Sequence, residues 1–323
     1  MKKTRKPKAI SKPGLYPDLP VDVYDRDPCA QPSLRSSVAA LLVDRTPAHA
    51  YAAHPRLNKN FREKKARHFD LGSVAHRVLL GAGRDVRIIR ADNFQGGAAK
   101  IARDMAHAHG QIPILQTDHD SVMQMVESAR QQIANHADWS AAFVQGTPEA
   151  SLIWVESFAP KQKIYCRVRL DWLPHDWKTN SLACYPDFKT VGQRADDAWE
   201  FSFWREGLDF RHAFYRRGIQ KALGVTYKPR VVYCVQETDQ PHALMFHEPD
   251  DETQKGADEQ VEFAMRLYAQ CLAANNWPGY PNGTNYIQMR GFARDRWESY
   301  RDFIGDKPTA ESLHRLTQMF SPL

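Results

Sequence analysis

Three β-rich runs in the middle of the chain constrain its fold more than any other feature. Ser151–Phe158, Lys163–Asp171 and Ser181–Phe188 are rich in β-branched and aromatic residues. Turn residues, Ala159-Pro160-Lys161-Gln162 and Pro174–Asn180, separate them. Runs of this kind read as strands, and their close spacing predicts a meander. A sheet this apolar needs helices to cover it. Upstream, the pattern predicts helices over Ser33–Leu42 (entered through a Ser cap), Pro47–Ala53, Asp70–Gly81, Ala98–His109 and Ser121–His136, with a strand at Val86–Arg90. The helix over Asp70–Gly81 is the best marked, because Leu71, Val74, Ala75, Val78 and Leu79 fall on one face. Downstream come helices at Ala195–Trp204 and Phe210–Leu223, a strand at Arg230–Gln236 and a long helix from about Thr253 to Ala274. A short strand near Tyr286–Met289 and a helix near Arg294–Ile304 follow. The order predicts an α/β chain of α+β-like mixed order, with a central mixed β-sheet flanked by helices. One domain over 14–323 is expected: a helical part at about 30–140, the sheet at about 150–240 and helices at about 250–305.

Composition narrows the function classes. At 323 residues, 42% hydrophobic and 25% charged, the chain is an ordinary globular one. No apolar run approaches the roughly 18 residues of a membrane helix, and the basic N-terminus lacks the apolar stretch of a secretory signal. A soluble, cytoplasmic protein without membrane contact is expected. Residues 1–14 hold six lysines and arginines and no acid, so the net charge of +6 resides there and the rest is balanced. Residues 1–13 read as a disordered, solvated arm, with a nucleic-acid contact as the sharper alternative. The five cysteines, Cys29, Cys166, Cys184, Cys234 and Cys271, form no CxxC pair, which argues against zinc ribbons and iron–sulfur clusters. No GxxxxGK[ST] loop is present.

The meander carries the chemistry. Asp171 ends one run and Asp187 ends the next, so two carboxylates can reach one divalent cation. Oxygen ligands select a hard ion such as Mg²⁺, with Mn²⁺ as substitute. Lys189 points to the same strand face as Asp187, because side chains alternate with period two. An ammonium there can orient water or offset transition-state charge, so two acids, a lysine and a metal suit phosphodiester hydrolysis. Asp-x-Lys alone is a weak signal, and Glu63–Lys65 and Asp176–Lys178 share it. Only Asp187–Lys189 ends a β run after a second strand-end acid. Upstream, Gly72-Ser-Val-Ala-His76 sets a histidine at the edge of an apolar helix stripe, and Glu149 lies just before the first run. Other clusters point elsewhere. His107 and His109 are two apart on a helix and face different ways, and Asp118-His119-Asp120 reads as a helix start. The tryptophans, Trp139, Trp154, Trp172, Trp177, Trp199 and Trp204, read as core before base-stacking groups.

The ordered pattern GxxxH, Glu, strand Asp, Asp-x-Lys resembles that of PD-(D/E)xK nucleases of the RecB-like branch, and more closely the RecE-type exonucleases of phages and prophages. Gly14-Leu-Tyr-Pro-Asp-Leu-Pro with Tyr24, Ser33-Leu-Arg-Ser-Ser with Thr46-Pro-Ala-His-Ala-Tyr51, Asp70-Leu-Gly-Ser-Val-Ala-His-Arg-Val-Leu-Leu, and Arg169-Leu-Asp-Trp-Leu with Pro186-Asp-Phe-Lys-Thr carry the resemblance in order. It implies a restriction-endonuclease-like core with His76, Asp171 and Asp187 as metal ligands. Glu149 would hold water or a ligand side chain, and Lys189 would be the catalytic lysine. The family's QxxxY helix is matched by Arg211-His-Ala-Phe-Tyr215, with arginine in place of glutamine. Arg211, Tyr215, Arg217 and Lys221, together with Lys64 and Lys65 of an upstream basic run, are the expected DNA contacts; a solvated basic face is the alternative for the helix. The resemblance implies a Mg²⁺-dependent 5′→3′ exonuclease on linear duplex DNA ends in phage-type recombination. A ring-shaped homo-oligomer and a single-strand annealing partner are implied with it. A RecB-like nuclease with endonuclease or single-strand activity, or an inactive DNA-binding protein on the same fold, remains the alternative.

Overall fold

In a computed structural model the chain is described over residues 9–62, 71–159, 162–192 and 194–305. It divides into two units, 1–279 and 280–323. The first begins with β1 (Gly14–Tyr16), α1 (Val21–Asp25), β2 (Ser33–Arg35), α2 (Ser36–Asp44), α3 (Pro47–Ala53) and α4 (Leu71–Leu80). Next come β3 (Val86–Ile89), α5 (Gly97–Ala108), β4 (Ile112–Leu115) and α6 (Gln116–Ala134). Two long strands follow, β5 (Gly146–Ala159) and β6 (Gln162–Pro174), and then β7 (Cys184–Val191). After a 3-10 turn at Asp197–Trp199, α7 (Glu200–Arg205), α8 (Leu208–Leu223), β8 (Arg230–Glu237), β9 (Leu244–His247) and α9 (Asp251–Ala274) complete it. The second unit carries α10 (Gly291–Gly305). No helix among the described residues is long and apolar enough to cross a membrane.

The sheets are mixed, as expected, but the meander is not continuous. β5 and β6 pair antiparallel within the order β1-β5-β6-β2, with β2 parallel to β6. β7 runs beside β6 yet takes its ladder from β8, in parallel, with β9 antiparallel beyond it. A parallel partner must come from a distant segment, so local pattern could not reveal it. Three further elements differ from expectation. Ser33–Arg35 is a strand and the helix starts only at Ser36. The segment after Ala195 breaks into a 3-10 turn and a short helix. Tyr286–Met289 is irregular. Asp118 lies in the first turn of α6, which begins at Gln116. The expected Asp70 cap lies outside the described residues.

Helices cover both sides of the β7–β8 pair. Val74 and Ala75 of α4 and Val122, Met125, Val126 and Ala129 of α6 pack with Phe188 and Cys234. The main core joins Leu152, Trp154, Cys166 and Val168 of β5 and β6 to α2, α8 and α9. Gly218 lets α8 come close: a Cβ there would stand 2.9 Å from the Trp154 ring. Trp154, Trp172 and Trp199 are buried, as read from the sequence, whereas Trp204 is half exposed.

His212 of α8 lies wholly inside this core and yields a stability prediction. A carbonyl only accepts, so Nε2–H donates to the Val231 oxygen (2.9 Å), and Nδ1 has no hydrogen-bond partner among the described residues. Burial, reinforced by the Arg216 charge, drives the imidazole down to about 3. The folded state therefore keeps His212 neutral while the unfolded chain protonates near its ordinary value of about 6.5. This contribution is complete above about pH 6.5 and is lost as pH falls towards about 3. Between pH 7 and 5 the expected loss is about 2 kcal/mol. Urea unfolding at both pH values should show the loss shrinking by that amount in His212→Gln. An identical pH dependence in the two proteins would mean that His212 does not fold as a neutral buried group.

Candidate active site

The carboxylates converge from inside their elements rather than from strand ends as the sequence suggested: Asp171 lies within β6, Asp187 in the middle of β7 and His76 in the middle of α4. Period-two alternation puts Asp187 and Lys189 on one face of β7 and sends Phe188 into the α4–α6 core. The Phe188 amide, between them, donates to Asp171 Oδ2 on β6 (2.9 Å). This hydrogen bond ties β6 to β7, between which no ladder runs. Lys189 Nζ contacts Asp187 Oδ1, and the Asp187 carboxyl is buried. His76, on the edge of the α4 stripe, places Nε2 3.0 Å from Asp171 Oδ2 and Nδ1 3.6 Å from Glu149 Oε1.

Glu149 lies within β5 rather than ahead of it, and its backbone is left-handed, φ 55°. Pro148 pairs with Trp172 and Ala150 with Leu170, so Glu149 and Asp171 face each other at an interruption of the ladder. A non-glycine residue there costs of order 1 kcal/mol or more, and such outliers concentrate at functional sites. Arg169 holds the strained residue: Nε contacts Glu149 Oε2, while Nη1 reaches the Leu19 carbonyl (2.9 Å) and Ser151 Oγ (3.2 Å). Sequence reading noted Arg169 only as a motif letter. Its signal was present, since Arg169 and Asp171 share a strand face.

The electrostatics follow from burial opposed by neighbours. Burial alone would lower His76, but Asp171 and Glu149 outweigh it and leave its pKa raised. Burial would raise Asp171, yet His76, Lys189 and the Phe188 amide hold it below the usual carboxylate range. Burial lowers Lys189 to about 8, against the pull of Asp171 and with help from Arg211. A lysine at about 8 exchanges its proton near neutral pH.

Two carboxylates and an imidazole, Asp171, Asp187 and His76, form a donor set whose chemistry suits a divalent cation. In the structure His76 Nε2 and Asp171 Oδ2 are hydrogen-bonded to each other at 3.0 Å. No group of three His, Cys, Asp or Glu side chains is assembled for a metal among the described residues, and Asp187 is in contact with Lys189.

Comparison with known proteins bears on the family and the fold. Residues 36–290 match a family described as a PDDEXK-like domain of unknown function (DUF3799). The chain belongs to this PDDEXK-like family. A similar solved structure, named a "putative exonuclease" from Eubacterium rectale, covers 95% of this chain and 97% of its own at 9% identity, with a TM-score of 0.50. That likeness concerns the fold. No curated protein matches the chain significantly.

The other residues expected at a PDDEXK-like site divide by surroundings. Arg211 of α8 is half-buried, without an ion pair among the described residues, and close enough to act on Lys189 and Tyr215. Tyr215, one turn on, is half-buried, and burial raises its hydroxyl pKa, with the Arg211 charge acting against the rise. Arg217, expected as a DNA contact, is engaged by carboxylates: Nε and Nη2 hold both Glu156 oxygens (2.7 and 3.0 Å), and Nη1 holds Glu262 (2.7 Å). Its guanidinium is spent on two carboxylates across the β5–α8–α9 core. Lys221 is exposed at the end of α8. Lys64 and Lys65 lie outside the described residues.

Proposed function

We propose that this PDDEXK-like protein is a divalent-metal-dependent deoxyribonuclease, acting as a 5′→3′ exonuclease on linear duplex DNA in phage-type recombination. The observation that carries the hydrolase reading is the joining of Asp171 to the Asp187–Lys189 strand through the Phe188 amide, with His76 and Glu149 closing the site. Polarity, duplex preference, a ring-shaped oligomer and a single-strand annealing partner rest on the RecE-type motif resemblance. His76, Asp171 and Asp187 are the residues to hold Mg²⁺, which supplies positive charge to the phosphate oxygens and Lewis acidity. Lys189 offsets the charge that develops as the bond from water oxygen to phosphorus forms and the ester P–O bond breaks. Glu149, fixed by Arg169, orients His76. Arg211 gives the phosphate a charge-assisted donor.

The test is incubation of linear and circular duplex DNA with the protein in Mg²⁺ and in EDTA. Loss of linear DNA from one strand end, in Mg²⁺ only, is expected. Nicking of the circle would favour an endonuclease, and inertness on both substrates would sink the reading.

Arg211 supplies a further prediction. Arg211→Gln retains cleavage but binds DNA more weakly, by on the order of 1–3 kcal/mol, the range for a hydrogen bond to a charged group. Arg211→Glu fails through repulsion. Dissociation constants and single-turnover rates at two salt concentrations measure both. An Arg211→Glu protein that binds and cuts like its parent would take α8 out of the site wall.

A further inference from the structure

The cleft at His76, Glu149 and Lys189 has a further set of lining residues that the site described so far does not use. A cavity of about 710 Å³ is lined by His76, Glu149 and Lys189. Arg84, Phe94, Arg103 and His107 line the same cavity. These come from the β3–α5–β4 unit, in which β3 and β4 pair in parallel and α5 is the crossover. Arg103 and His107 stand four apart on α5 and so share a helix face. Arg84 makes no ion pair among the described residues, and Arg103 is paired only with its exposed neighbour Asp104 (2.8 Å). Residues 84–111 hold five arginines and lysines against three acids, in a chain body that is otherwise balanced.

Carboxylates alone repel a phosphate, so a phosphodiester entering this cavity meets attraction from the guanidiniums that line it too. Guanidiniums combined with an accessible aromatic face are the composition that grips an unpaired strand: charge tracks the backbone and the ring stacks on a base. A duplex hides its base faces, and a cavity of this size is that of a small-ligand pocket rather than a duplex channel.

We infer that the β3–α5–β4 wall holds one unpaired DNA strand across the site, with Arg84 and Arg103 on backbone phosphates, His107 flanking them and Phe94 stacking on a base. This rests on the nuclease reading above and adds the state of the strand that enters. The probe is a fluorescein-labelled twelve-residue oligothymidine, titrated in EDTA at 50 and 200 mM salt against the full-length parent, Arg84→Ala/Arg103→Ala and Phe94→Ala. A blunt duplex of equal length is run in parallel. The double variant should lose at least tenfold in affinity, and the salt slope should fall by about 1.4, two phosphate contacts at about 0.7 each. Phe94→Ala should weaken single-strand binding by about 5- to 100-fold with the slope unchanged, as stacking predicts, and should barely affect duplex binding. Arg84 is exposed and Phe94 and Arg103 are half-buried, so melting curves check that the substitutions leave the fold intact. Parent-like single-strand binding in both variants would overturn the wall. Equal losses on duplex and single strand would overturn the unpaired-strand assignment. A parent that neither binds the oligonucleotide nor cleaves DNA brings down the nuclease reading itself, whereas a cleaving parent with normally binding variants brings down only the wall.

Discussion

Asp187→Asn should eliminate DNA cleavage, by at least about 10²–10³-fold in single-turnover rate, the scale for removing one electrostatic contact to a transition state. The substitution keeps shape and removes charge. Asp187 is buried on β7 and holds Lys189, so asparagine fits the same space, and melting temperature should change little against the loss of activity. Calorimetry separates a ligand from a bystander. If Asp187 contributes an oxygen to the cation, Mn²⁺ affinity falls at least tenfold in the variant. Unchanged Mn²⁺ affinity would remove Asp187 from the ligand set and leave it as the partner of Lys189 alone.

Lys189→Ala should cost a similar 10²–10³-fold in turnover while DNA and Mn²⁺ affinities stay within a few-fold of the parent. The reason lies in position. Lys189 contacts a carboxylate, stands beside the ring of Tyr233 and lines the cleft, so its charge acts at the reacting phosphate rather than along the backbone. Burial first, and then the Arg211 charge, brings its ammonium down to about 8. The sign follows from the role: if the protonated form works, activity is full below that value and declines as pH rises through about 8. The declining limb should vanish in Lys189→Ala. A loss confined to DNA affinity, with the rate at saturation preserved, would make Lys189 a phosphate anchor and not a catalytic residue.

Local periodicity accounts for what was legible in the sequence. Alternation along a strand placed Asp187 and Lys189 on one face, and the apolar stripe of α4 placed His76 at its edge. Both are properties of a few consecutive residues. The long helix α9 and the strand β8 were legible for the same reason. Pairing between distant segments was not. Nothing local to Cys184–Val191 says that it leaves the antiparallel β5–β6 pair to join β8 in parallel, because a parallel partner is chosen by the packing of the connecting helices. The left-handed backbone of Glu149 is set by the ladder on either side of it and by the Arg169 clamp, so a residue that reads as a surface turn acid becomes a wall of the site.

The sequence by itself thus determined the candidates for the site, which acids, which lysine and which histidine, and the faces they occupy on their own elements. Only the tertiary structure decided which cations serve it. Arg217 and Arg211 stand on one helix with similar sequence surroundings, yet Glu156 and Glu262 neutralise the first while no carboxylate among the described residues meets the second. Arg84 and Arg103, 19 residues apart in sequence, come to one cleft because β3 and β4 pair in parallel with α5 between them. A charge acts through the groups within a few ångströms of it, and those neighbours are supplied by chain folding rather than by chain order.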